Sequence, residues 1–274
     1  MSARSSMWGK IAYISRVIPK TLEDMVLKDQ MEKQGNWLFR FRGILPLIVL
    51  VFGFYEYMQT ELHPERYPLE ETPYEFYYEM FCLAVSLLGL AIRVITVGHT
   101  PKNTSGRNVN EQVADELNTT GMYSLVRNPL YLGNFFMWLG VGLLTMNVWF
   151  TVTFILVYWL YYERIIFAEE QYLIGKFGKR YTDWADRTPC FIPKFGDYVK
   201  PAVKFSWKKV VKKEKNGLLA LLLVFSAFDI VGELVVQESP KYIFIGIITG
   251  AVILIYFAIK YIKHRTSLLN EAGR

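Results

Sequence analysis

Cysteine and histidine are scarce in this 274-residue chain, with two of the first and three of the second. Cys82 and Cys190 form no CxxC pair, and His63, His99 and His264 stand singly. A disulfide framework and a Cys/His metal centre are therefore not expected. Charge is sparse too, at 20% of residues, against about 25% in an average soluble domain. The sequence contains no GxGxxG, no Walker loop and no HExxH, so a Rossmann crevice, a phosphate loop and a zinc-protease site are excluded. A GxSxG elbow is missing as well. Internal repeats and low-complexity segments are lacking. What remains is apolar: 52% of residues are hydrophobic and 16% aromatic.

The apolar residues gather into six blocks, at 44–58, 76–98, 130–146, 148–162, 217–236 and 242–261. A membrane-spanning helix needs about 20 mainly apolar residues. The last two blocks meet that length, and the shorter ones have amphipathic flanks. The expected fold is an all-α integral membrane protein of about six transmembrane helices with a cytoplasmic cap. Lys and Arg alternate between the connecting segments. Segments on one side hold 27 of them and those on the other hold 2. The positive-inside rule then places both termini in the cytoplasm, and at the inner membrane if the chain is bacterial.

The sequence divides into residues 1–43, the core 44–199, a basic linker 200–216 and a two-helix hairpin with tail at 217–274. In the first segment Lys10 and Arg16 interrupt the apolar run, which argues against a secretory signal. Ile11, Ile14, Val17 and Ile18 recur at helical spacing, as in an interfacial amphipathic helix. Seven lysines crowd residues 200–215, and on a membrane protein they read as a contact with anionic inner-leaflet lipids. No nucleic-acid reader module accompanies that charge.

Two polar stretches, 99–134 and 163–195, flank the third and fourth blocks. A short turn at Asn147 joins those blocks as a hairpin, so both stretches emerge side by side. Arg93 lies about one turn inside the second block. An ionisable residue there is either functional or snorkels to the interface. Glu169 and Glu170 leave the fourth block beside the first polar stretch.

The string GMYSLVRNPLYLGN at residues 121–134 resembles the G-x-Y-x-x-V-R-H-P-x-Y-x-G motif of the isoprenylcysteine carboxyl methyltransferase and phospholipid methyltransferase families. Glu169, Glu170, Leu173, Phe177, Gly178, Tyr181, Arg187 and Pro189 are similar to those families' second motif. The resemblance covers residues 90–195 and implies a membrane methyltransferase using S-adenosylmethionine. By this resemblance the cofactor site includes Gly121, Tyr123, Arg127, Asn128, Pro129, Tyr131, Gly133, Glu169, Glu170 and Tyr181. One departure stands out: the family's His is Asn128 here. Asn keeps hydrogen bonding but carries no charge.

Methyl transfer is an in-line displacement. An anionic oxygen nucleophile needs positioning and exclusion of water, not a general base. Arg187 and Arg93 are the candidates to hold such an acceptor, a phosphate or carboxylate on a membrane lipid or lipid-linked molecule. Alternatives at this stage are a phospholipid amine, a small thiol, or a non-catalytic scaffold that keeps the fold.

Overall fold

The structure, a computed structural model, describes residues 27–70, 72–101, 104, 114–236, 243–271 and 273. The expected amphipathic helix at residues 8–19 lies outside them. Among the described residues all regular structure is helical. The α-helices are α1 (Leu27–Arg40), α2 (Leu45–Leu62), α3 (Glu75–Gly98), α4 (Met122–Leu125), α5 (Pro129–Leu144), α6 (Val148–Phe177), α7 (Lys179–Ala185), α8 (Trp207–Val236) and α9 (Ile243–Arg265).

Each apolar block has become a long helix. Four of them, α3, α6, α8 and α9, are long and apolar enough to cross a membrane. Helix α5 is equally apolar but has 16 residues. At about 1.5 Å per residue it falls short of a hydrocarbon core roughly 30 Å thick. Large apolar side chains such as Phe52, Leu160, Leu234 and Leu254 point outward and exposed. So much outward apolar surface suits a lipid surround, where it carries no hydration penalty. The chain is an all-α integral membrane protein.

Local chemistry sets the helix limits. Pro129 opens α5, where its missing N–H has no partner to lose. The Asn147 side chain caps α6 by accepting from the backbone N–H groups of Trp149 at 3.0 Å and Phe150 at 3.1 Å. Gly178, at φ +53°, ends α6 and turns the chain into α7.

The tightest packing is the α3–α5 pair. A Cβ at Gly89 would run into the carbonyl oxygen of Gly133, and one at Gly140 into Ser86. Ser86 Oγ donates to the carbonyl of Met137 at 2.7 Å. Small residues let two backbones approach where lipid offers no hydrophobic drive for association. Helix α1 likewise closes on α6, with Gly35 against the backbone of Arg164.

Two buried clusters fill the interior. Tyr57, Cys82, Val141, Leu144, Leu221, Phe225 and Phe228 join α2, α3, α5 and α8. Phe39, Phe154, Tyr158, Tyr162, Ile165 and Ile166 join α1 and α6. The ends of the helices sort into two sets. At one end Thr60 Oγ1 donates to the carbonyl of Thr145 at 2.7 Å, and Tyr78 donates to that of Leu143 at 2.8 Å. At the other, the Ser206 N–H donates to the Gly98 carbonyl at 2.9 Å. The polar segments before α5 and after α6 gather at this second end, and the connector between α2 and α3 lies at the first.

Candidate functional site

A cavity of about 440 Å³ lies where α3, α5, α6 and α8 meet the polar cap. That volume is within the range of small-molecule sites, about 300–1,000 Å³. Its floor is the start of α5. The segment after α7 folds back over this point. The Arg127 N–H donates to the Pro189 carbonyl, that of Lys194 to Leu125 and that of Gly121 to Val199, each at 2.9 Å. Asn128 Nδ2 donates to the Cys190 carbonyl at 3.3 Å and contacts its Sγ at 3.4 Å. Asn128 therefore pins the return segment in place. Burial pushes the Cys190 thiol up, which disfavours the reactive thiolate.

Of the residues singled out in the sequence, Arg93, Tyr123, Arg127, Asn128, Pro129, Tyr131, Glu169, Glu170 and Tyr181 line this one cavity. Residues from α3, α5, α6 and α7, and from the turn before α5, thus converge. Tyr131 donates its hydroxyl proton to Glu169 Oε1 at 2.9 Å. Its own carbonyl accepts from Tyr158 at 2.8 Å, and its ring sits 4.8 Å from that of Tyr162. Arg127 Nη1 lies 3.3 Å from Glu170 Oε1. Desolvation holds the Tyr123 and Tyr181 hydroxyls above the usual phenol range, so both stay protonated and can donate hydrogen bonds.

Among the described residues two buried donors, Arg127 Nε and Trp184 Nε1, have no hydrogen-bond partner, and Glu170 Oε1 is held only by its ion pair with Arg127. All three residues line the cavity. An unmet buried polar atom costs about 1–3 kcal/mol. Two unmet donors beside an ion-paired carboxylate around one cavity mark a place for a polar ligand.

A phospholipid methyltransferase family model matches residues 80–180. The protein-S-isoprenylcysteine O-methyltransferases of Schizosaccharomyces pombe and Saccharomyces cerevisiae are 33% and 35% identical over 118 and 114 residues. These matches cover 42% and 41% of this chain. The cobalt-zinc-cadmium resistance protein CzcN of Cupriavidus metallidurans is 32% identical over 154 residues, 54% of this chain and 67% of that protein. The chain belongs to the phospholipid and isoprenylcysteine methyltransferase family. It spans about half the length of the two yeast relatives, 50% and 47%. No solved structure matches it.

The family segment carries the floor and two walls of the cavity, through most of α3 and all of α5 and α6. The remainder comes from beyond it. Tyr181 and Trp184 of α7 close one end, and Lys213, Glu214 and Gly217 of α8 close the other. Arg93 does not snorkel. Its Nε and Nη2 donate to the two carboxylate oxygens of Glu214 at 2.8 Å each, and its Nη1 donates to Asn134 Oδ1 at 2.7 Å. The Glu214 side chain is only 4% exposed.

Three expectations change. Arg187 is not in the cavity. It is exposed, and its Nε donates to the carbonyl of Asp183 at 3.0 Å, because the helical turn runs on past α7 and directs the side chain back along it. Gly121 and Gly133 shape the site without lining it. Gly121 supplies a turn at φ +62°, and Gly133 leaves room for the Arg93 side chain. The basic stretch 200–215 is not all a loop, since α8 begins at Trp207. Lys209 is buried, and its ammonium donates to the Thr100 carbonyl, the Thr100 hydroxyl and the Pro101 carbonyl at 2.6–2.9 Å.

Sequence reasoning missed Asn134, Trp184 and Glu214. Asn134 and Trp184 had a signal, each three residues after a tyrosine of the motif and so on the same helix face. Glu214 had none, as one acid among lysines.

Proposed function

We propose that this protein is an S-adenosylmethionine-dependent membrane methyltransferase acting on an oxygen of a lipid-linked acceptor. The observation that carries it is the pair of unmet donors, Arg127 Nε and Trp184 Nε1, beside the Glu170 carboxylate. The amino acid end of the donor is a zwitterion. Glu170 Oε1 suits its ammonium, and Arg127 Nε suits its carboxylate. Trp184 and Tyr181 offer N–H and O–H to the remaining polar groups, and Tyr131 with Tyr162 gives an aromatic surface. When bound, the donor supplies an electrophilic methyl group. The chain's own contribution is to orient the two reactants and exclude water, the terms that matter most in a displacement.

Support for an oxygen acceptor comes from the O-methyltransferase relatives and from the cavity itself. Histidine is missing from its lining, so an amine would lose its proton to a carboxylate or not at all. With Arg187 outside, Arg93 is the cation of the α3–α5 crossing that faces an acceptor. The 27-to-2 charge split supports a cytoplasmic cap and site mouth.

Calorimetry in detergent tests the donor site. The wild type is expected to bind S-adenosylmethionine, and Arg127→Ala and Glu170→Ala each to weaken it about tenfold or more, since a hydrogen bond to a charged group contributes about 1.5–3 kcal/mol. Absence of binding in the wild type, or unchanged affinity in both variants, would remove the donor from this cavity.

A further inference from the structure

The two ends of the cavity differ in kind. At the α6–α7 end lie the two unmet donors, Arg127 Nε and Trp184 Nε1, and the Glu170 carboxylate. At the α8 end the Arg93–Glu214–Asn134 cluster is satisfied. An arginine has five N–H donors, of which three are committed there. One on each terminal nitrogen remains for a ligand oxygen. Beside the cluster the wall is apolar. A Cβ on Gly217 would sit at ordinary contact distance, 3.5 Å from Glu214 Oε2 and 3.7 Å from Leu90 Cδ1 and from Met137 Cε. Both Gly217 and Met137 face the cavity.

We propose that α8, which lies beyond the family-matched segment, builds the acceptor subsite: Glu214 orients Arg93 toward the reacting oxygen, and the Met137–Gly217 wall takes the acceptor's apolar part. This rests on the methyltransferase reading and adds to it where the acceptor binds. A polar, unsatisfied end suits the donor, and a satisfied, half-apolar end suits an amphipathic acceptor. Glu214 is a positioning residue. It holds the guanidinium by both oxygens, as the planar fork allows, and balances its charge so that an incoming anion is not bound too tightly to react. In the transfer, the oxygen lone pair forms the new O–C bond while the donor's C–S bond breaks toward sulfur. No proton or further reactant is required.

The test uses purified full-length protein. S-adenosylmethionine affinity is measured by calorimetry. Transfer of labelled methyl is followed while a total-lipid extract of the host membranes is titrated in as the acceptor mixture. The variants are Gly217→Phe, Glu214→Gln and Glu214→Asp, with Gly250→Phe as a control on α9, where a Cβ meets nothing within 4 Å. Gly217→Phe is expected to keep donor affinity within about twofold and to raise the apparent KM for the extract about tenfold or more. Glu214→Gln should keep donor affinity and lower kcat about tenfold, with Glu214→Asp recovering part of it. Wild-type transfer by Gly217→Phe would overturn the proposal. So would loss of donor affinity in Gly217→Phe with affinity kept in Gly250→Phe, because the α8 end would then belong to the donor. Failure of the wild type to bind donor would instead overturn the methyltransferase reading, and this subsite with it.

Discussion

Tyr131 shows how one side chain joins several roles. It leaves the first turn of α5, and its hydroxyl reaches across to Glu169 on α6 at 2.9 Å. That bond fixes the carboxylate next to the Arg127–Glu170 pair. Tyr131→Phe removes one oxygen and keeps the ring, so the fold should hold while S-adenosylmethionine affinity falls about fivefold or more in calorimetry, on the scale of one lost hydrogen bond. Unchanged affinity would detach Tyr131 from the donor. Arg187 makes the opposite case. Its motif position suggested a substrate contact, but it is exposed and bonds its own helical turn. Arg187→Ala should leave turnover within about twofold of wild type, and a hundredfold loss would return it to the site. The motif made residue types legible, because spacing on a helix face is written in the sequence. Where Arg187 pointed was not, since that depends on how far α7 continues.

Among the elements, the α3–α5 crossing sets the geometry of the cavity. Ser86, Gly89, Gly133 and Gly140 bring the two backbones together, and Arg93 passes over Gly133. A side chain at Gly89 has to displace the backbone of α5. Overpacking of this sort costs about 1–3 kcal/mol, so Gly89→Leu should lower the thermal midpoint in detergent and weaken donor binding with it. Gly246→Leu on α9, where a Cβ meets nothing within 4 Å, should do neither. The α5–α6 hairpin was legible beforehand from Asn147, which acts through local backbone chemistry. The start of α8 was not. Its first turns carry lysines that read as a lipid contact, and the burial of Lys209 follows from the Thr100 and Pro101 carbonyls, which are distant in sequence. Glu214 escaped notice for the same reason.

Taken whole, the molecule places the polar segments that form the cavity together at one end of a largely apolar helical body. Hydropathy anticipated where the long helices lie, because the bilayer constrains length and composition directly. The charge alternation predicts which end is cytoplasmic. In a Cys190→Ser background, Pro68→Cys should react with an impermeant maleimide in intact cells, and Tyr198→Cys should react only after permeabilisation. Both positions are exposed, so accessibility will reflect topology and not burial. The reverse pattern would invert the assigned orientation. The central claim is methyl transfer to a membrane acceptor from the cavity between α3, α5, α6 and α8. Its most direct test is mass spectrometry of lipids and lipid-linked material from cells fed methyl-labelled methionine, comparing wild type, Glu170→Ala and cells without the protein. The account predicts label in one lipid-linked class with the wild type, and its loss in the other two. Identical labelling in all three would contradict it.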